Sequence, residues 1–258
     1  MLIEPKNGIE IVADLPALYI REMDSLVVAD LHIGFEEEAA SQGLFIPFTQ
    51  YNHIINVIDK ALDRTNASHI IFLGDVKHSF SSLLRTERRD LTKLFNHLKS
   101  RWGVNITIIR GNHDSFLTLI ARKHGIKIVD ELYYNGILFI HGHRKPSGNY
   151  PENPRIIIMG HEHPSIKLRD KLGFYVKMQS FIFAPMKNTN TRVIVLPALG
   201  QYQTGSSITL DPSSYLSPIL REDVILEEIK PYVIVENLGV LPFPQISLLR
   251  DLLEEVYI

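Results

Sequence analysis

An amide, an imidazole and a carboxylate stand side by side at Asn112, His113 and Asp114, directly behind the apolar run VNITII (residues 104–109). Alone, the segment IRGNHDS could be a turn, because Gly and Asn tolerate positive φ and Asp and Ser cap helices. Four other apolar runs end in the same kind of chemistry. SLVVAD leads into Asp30-Leu-His32, and HIIFLGD ends in Gly74-Asp75. GILFIHG leads into His141-Gly-His143, and RIIIMGH into Gly160-His161-Glu-His163. Imidazole, carboxylate and a side-chain carbonyl suit manganese, iron, zinc and similar ions. The chain contains no cysteine, which excludes thiolate ligands and disulfides. These groups are more than one ion needs, which points to two ions sharing a bridging carboxylate. A pair about 3.5–4 Å apart clamps the attacking and leaving oxygens of a phosphoryl transfer and lowers the pKa of a bound water towards about 7.

Such a set works only if the elements behind it converge. The five runs are short, rich in Val and Ile, and bounded by polar residues or Gly, as buried strands are. In open α/β sheets, ligands gather beyond the carboxyl ends of the strands. Residues i and i+2 of an extended segment point to one side, so Asp30 with His32, and His161 with His163, are expected to bite as pairs. Helical patterns lie between the strands. Phe48, Tyr51, Ile55, Ile58 and Leu62 recur at helical spacing after Pro47. Thr86 is read as the N-cap of a helix carrying Leu91, Leu94, Phe95 and Leu98, and a short helix runs from about Ser115 to His124, stopped by Gly125. The last third reads as strands at 174–183, 191–199 and 232–239, followed by an amphipathic helix with Ile246, Leu249, Leu253 and Val256. With no repeat and no convincing linker, residues 1–258 read as one α/β domain on two packed sheets. Hydrophobic residues make up 45% and charged residues 22%, with a formal net charge of −2, so the whole molecule is not a polycation. The N-terminus lacks a signal-peptide pattern, and no apolar run approaches the roughly 18 residues of a membrane helix. A soluble cytoplasmic protein without a membrane partner is expected.

In order, Asp-x-His, Gly-Asp, Gly-Asn-His-Asp, His and Gly-His-x-His over residues 30–163 resemble the signature of the calcineurin-like metallophosphoesterases. The resemblance implies a four-layer αββα sandwich of two mixed sheets flanked by helices. It implies that Asp30, His32 and His163 hold one divalent ion and that Asn112, His141 and His161 hold a second. Asp75 would bridge them. Manganese is the first choice of metal, with iron, zinc and cobalt accepted by the same ligands. His113 is expected to contact the phosphate and protonate the leaving oxygen, with Asp114 orienting its imidazole. The segment GDVKHS has Lys77 and His78 where many relatives carry an acidic residue. That form is similar to the small phosphoesterases related to the SbcD nucleases and to those associated with DNA ligases. His78 then either reaches the phosphate or caps its loop. The resemblance implies a phosphodiesterase in which metal-bound hydroxide attacks phosphorus in line, with a phosphodiester, a nucleotide or nucleic acid as substrate. The alternatives are an SbcD-like nuclease acting on DNA, for which little chain remains after His163 to form a cap, and an interaction scaffold. The oligomeric state is not legible.

Other residues receive plainer readings. His53, His69, His97 and His124 are read as structural, and His143 as supporting the ligands or touching substrate. Asp63, Glu87, Glu254 and Glu255 are read as solvated helix faces. Arg144, Lys145, Arg155, Lys167, Arg169 and Lys171 are offset by Glu152, Glu162 and Asp170, giving a mixed solvated surface. Segments 35–46 and 165–191 are expected to shape the substrate pocket.

Overall fold

The computed structural model of the protein describes residues 1–4, 8–169 and 174–249. Its first sheet runs in sequence order: β1 (Leu2–Glu4), β2 (Ile9–Ile11), β3 (Leu18–Ile20), β4 (Ser25–Val28), β5 (His69–Phe72), β6 (Asn105–Ile109) and β7 (Lys127–Val129). Strands β1 to β4 form an antiparallel meander, and β4 to β7 are parallel. Parallel neighbours need crossovers. These are α1 (Phe35–Ser41) and α2 (Gln50–Thr65), then α3 (Arg85–His97), then α4 (Thr118–Lys123).

The second sheet contains β8 (Leu132–Tyr134), β9 (Ile137–Phe139), β10 (Ile156–Met159), β11 (Pro164–Arg169), β12 (Tyr175–Pro185), β13 (Arg192–Val195) and β14 (Ser206–Ser207). Their order is β14-β11-β12-β13-β10-β9-β8, and β15 (Lys230–Val235) and β16 (Gly239–Pro242) extend it from β12. Strands β9, β10 and β13 are parallel, so β9 and β10 end on the same side.

The sheets face each other. Ile9, Ile11, Val27, Ile71 and Leu73 from one pack with Phe139, Ile158, Phe181 and Leu196 from the other. The outer face of the first sheet is covered by α2, α3 and α4 through Ile54, Ile58, Leu91, Leu94, Phe95 and Ile120. Among the described residues, the outer face of the second is covered by the short α5 (Pro218–Glu222), with Ile219 and Leu220 buried beside Tyr215, and by 3-10 turns that bring in Leu226 and Ile246. The four layers are thus present.

Several local expectations shift. The N-terminal strands, α1 and β11 carry too few residues of clear periodicity to stand out in the sequence. The helix assigned to Thr86 begins two residues earlier: Leu84 is its N-cap, its N–H donating to Glu87 Oε2 at 2.8 Å, while Thr86 binds Glu37. Glu87 is therefore no solvated face. It is buried and also accepts from His78 N and Ser79 N. In α2 the buried stripe is Ile54, Val57, Ile58, Ala61 and Leu62, and Phe48 lies before the helix and is exposed. Ile246–Leu249 forms one 3-10 turn, and Leu253, Glu254, Glu255 and Val256 lie outside the described residues, as do Asp170 and Lys171. Among the described residues, no helix is long and apolar enough to cross a membrane.

Candidate metal centre

Parallel pairing carries the motif loops to one place. Beyond the ends of β4 and β5, Asp30 N donates to Gly74 O, His32 N to Asp75 O and Ile33 N to Val76 O. In the second sheet Gly160 N donates to His141 O, which holds the fourth and fifth loops together. The sheets then close on each other through Asp30, whose Oδ2 accepts from His161 N at 2.9 Å.

The ligand pairs are not made by extended alternation. Asp30, His32, Asp75, His161 and His163 all have positive φ, between 48° and 68°. Non-Gly residues rarely adopt this left-handed region, and such strain persists where surrounding bonds over-determine it. The turns also split the last pair. Asp30, His32 and His163 form one group whose donor atoms lie within 4.8 Å of one another, and Asp75, His141 and His161 form another. His161 and His163 therefore do not bite together. Gly74 permits this closeness: at φ +85°, a Cβ there would meet His141 Nδ1 at 2.5 Å and Gly111 Cα at 2.8 Å.

Asp75 reaches from its own group towards the other. Its Oδ2 is 3.2 Å from His141 Nε2 and 3.9 Å from His32 Nε2. Asn112 Oδ1 lies 3.0 Å from His141 Nε2, and His163 Nε2 is 3.4 Å from both His32 Nε2 and Asp30 Oδ1. His141 Nδ1 is 2.6 Å from the Leu73 carbonyl, to which it donates, so Nε2 is the ring nitrogen turned towards Asp75 and Asn112. Asp30 Oδ1 is buried without a hydrogen-bond partner. An orphaned carboxylate oxygen inside a protein is costly, and a cation satisfies it. The donor set and this orphan both fit divalent ions.

Electrostatics divide the imidazoles. Burial, reinforced by His163, holds His32 well below the ordinary imidazole range, and burial with His141 lowers His161 to about 4. Neutral rings are the form that binds metal. Burial opposes a proton on His141 too, but Asp75 and Asp30 outweigh it and lift the group to about 9. Burial raises Asp75, yet the surrounding imidazoles prevail and hold its carboxyl well below the usual range.

His113 joins this cluster, its Nε2 3.9 Å from Asp75 Oδ2. Its Nδ1 donates to the carbonyl of His78, not to Asp114. No hydrogen bond joins the Asp114 carboxylate to the His113 ring among the described residues. That carboxylate is buried beneath the loops, accepting from Asp75 N and Gly111 N on Oδ2 and from Val76 N and Lys77 N on Oδ1. Burial and the Asp75 charge nevertheless raise it to about 6.

Sequence reasoning left His78 open and misread Glu162. His78 Nδ1 is 3.1 Å from His32 Nδ1, and its ring stacks on His113 at 5.3 Å. Its loop is pinned by Glu87 and by the buried Lys77, which donates to Ser79 O and Ser82 O. Glu162 is buried rather than solvated, accepting from Leu216 N and Ser217 N at 2.9 Å. His143 sits beside His141 and His161, with a buried Nδ1 that has no partner. His69 and His97 are structural, bonded to Ser25 and Thr107 and to Asp59 respectively.

The profile of the calcineurin-like phosphoesterases matches residues 23–176. The structure is similar to the crystal structure of Pseudomonas putida nuclease MPE, with a TM-score of 0.60 and 22% identity over 90% of this chain and 93% of that one. YfcE, a phosphoesterase from E. coli, is matched with a TM-score of 0.44 and 12% identity over 86% of this chain and 98% of that one. No curated protein matches the sequence significantly.

Proposed function

The chain belongs to the calcineurin-like phosphoesterase family, and from that premise we propose that it is a dinuclear-metal-dependent phosphodiesterase. The observation that carries the reading is that Asp75, a member of one three-residue group, also reaches the other, its Oδ2 3.9 Å from His32 Nε2, with the orphaned Asp30 Oδ1 in that second group. Asp30, His32 and His163 would hold one ion, Asn112, His141 and His161 the other, and Asp75 both. Bound there, divalent ions, manganese first, supply Lewis acidity and a water acidified towards neutral pKa.

The residues around them have separate duties. With His32 offering Nε2, its Nδ1–H donates to His78 Nδ1, which fixes the tautomer of the ligand. His113 has its Nδ1–H committed to the His78 carbonyl, so Nε2 is the atom that gives up a proton to the departing alcohol oxygen. A nuclease acting on DNA is the second reading, favoured by the fold shared with a nuclease across most of both chains.

The test compares bis(p-nitrophenyl) phosphate with p-nitrophenyl phosphate after metal removal and restoration with Mn²⁺. The diester is expected to be preferred. His113→Ala should keep both metals and lose about 10²–10⁴-fold in kcat. Preference for the monoester overturns the diesterase reading, and full activity in His113→Ala removes it as the acid.

A further inference from the structure

Strand β11 leaves the centre directly after His163 and pairs with the first half of β12 as a hairpin. The register sets Ser165 opposite Gln179, Lys167 opposite Lys177 and position 169 opposite Tyr175. Cross-strand partners and every second residue share a face, so these positions lie together. The other face is apolar, with Ile166, Leu168 and Met178 packing near Val233 and Leu249, and only Val176 near the hairpin's tip left exposed among its described apolar residues. The first face is different in kind. Lys167 and Lys177 are directly opposed, an arrangement that destabilises a sheet by repulsion, and neither strand contains a carboxylate. Lys167 Nζ lies 4.1 Å from the ring centroid of the exposed Tyr175, and Lys177 is exposed.

This basic face connects to the centre. Lys177 Nζ donates to Gly205 O, and the same loop carries Tyr202, which stacks on Phe35 at 5.4 Å. Phe35 meets His78 edge-on at 4.9 Å, and Phe80, 53% exposed, lies 3.6 Å from the His113 ring. Aromatic side chains thus run from His113 and His78 as far as Tyr202, three residues before the carbonyl that Lys177 binds, on a molecule whose net charge is −2. Backbone-tracking cations with interleaved aromatic rings suit a splayed single strand, whose bases stack and whose phosphates need countercharge. A repelling lysine pair is relieved by an anion placed between its members.

We propose that the β11–β12 hairpin, through Lys167 and Lys177, binds the phosphate backbone of a single-stranded nucleic acid whose scissile phosphate lies at the metal centre. Tyr202 provides a stacking surface between the two. The proposal rests on the phosphodiesterase reading and extends it to a polymeric substrate.

The test uses full-length Mn²⁺-loaded protein and a fluorescent, phosphorothioate-linked oligothymidylate, with anisotropy read between about 50 and 200 mM KCl. Hydrolysis of bis(p-nitrophenyl) phosphate is followed in parallel as the readout of the centre. Lys167→Ala/Lys177→Ala is expected to reduce the log–log salt slope by about 1.4, from roughly 0.7 per lysine. At the lowest salt it should weaken binding at least several-fold, with small-diester hydrolysis unchanged. An unchanged slope overturns the proposal, as does equal loss of binding and small-diester hydrolysis, which would mark the lysines as structural. Equal affinity for a duplex of the same length overturns the single-strand assignment. Wild-type protein that binds the strand with the expected slope but hydrolyses no diester refutes the catalytic reading and leaves the surface standing.

Discussion

Asp114 illustrates how a polar residue beside an imidazole can serve the backbone instead. Both of its oxygens accept from main-chain amides, two on each side, tying the Gly111 turn to the loop that follows β5. An Asn cannot do this, because its NH₂ would face two N–H donors. Asp114→Asn is therefore expected to cost about 1–3 kcal/mol for each group left unsatisfied, close to the effect of Asp114→Ala, as read by urea denaturation. Stability retained in Asp114→Asn, with only kcat lost, would return the residue to the role of orienting His113. His113 is held instead by the His78 carbonyl and by Phe80 against its face.

At the level of elements, the loop of His161 and His163 is anchored from behind by Glu162, which accepts the amides of Leu216 and Ser217 at the entrance to α5. Burial raises this carboxyl from 4.5 to about 7 against the pull of those amides. Between these values the unfolded carboxyl is ionised while the folded one keeps its proton. Its contribution to stability is therefore complete below 4.5 and is lost as pH rises through about 7. Glu162→Gln keeps an acceptor for the amides and removes the titration. The Tm of the wild type relative to Glu162→Gln should fall as pH rises across that window. A difference independent of pH would show that Glu162 ionises in the folded protein as it does in the unfolded chain.

For the molecule as a whole, the proposed ligands come from both sheets: Asp30, His32, Asp75 and Asn112 from the first, His141, His161 and His163 from the second. Metal binding would add a clamp to the apolar contact of Phe139 and Phe181 with Ile71 and Ile9. A ligand that binds only the folded state stabilises it by about 2.7 kcal/mol at a hundredfold excess over Kd. Chelation should therefore lower Tm, and Mn²⁺ should restore it to a saturating limit. Asp75→Asn should abolish most of that response. A Tm indifferent to Mn²⁺ in the wild type would speak against a centre that bridges the sheets.

By itself, the sequence determined the five apolar strands, the chemistry following each, and the two-sheet α/β class, because β-branched runs bounded by polar residues have few other uses. The tertiary structure decided which donors meet. Left-handed turns at His161 and His163 send neighbouring imidazoles to different groups, and no periodicity records a turn made by a non-Gly residue. It also decided that Glu87 and Glu162 are buried acceptors rather than solvated charges. The amides that draw them inward, from Ser79 in one case and Ser217 in the other, belong to loops whose positions arise only when the two sheets close.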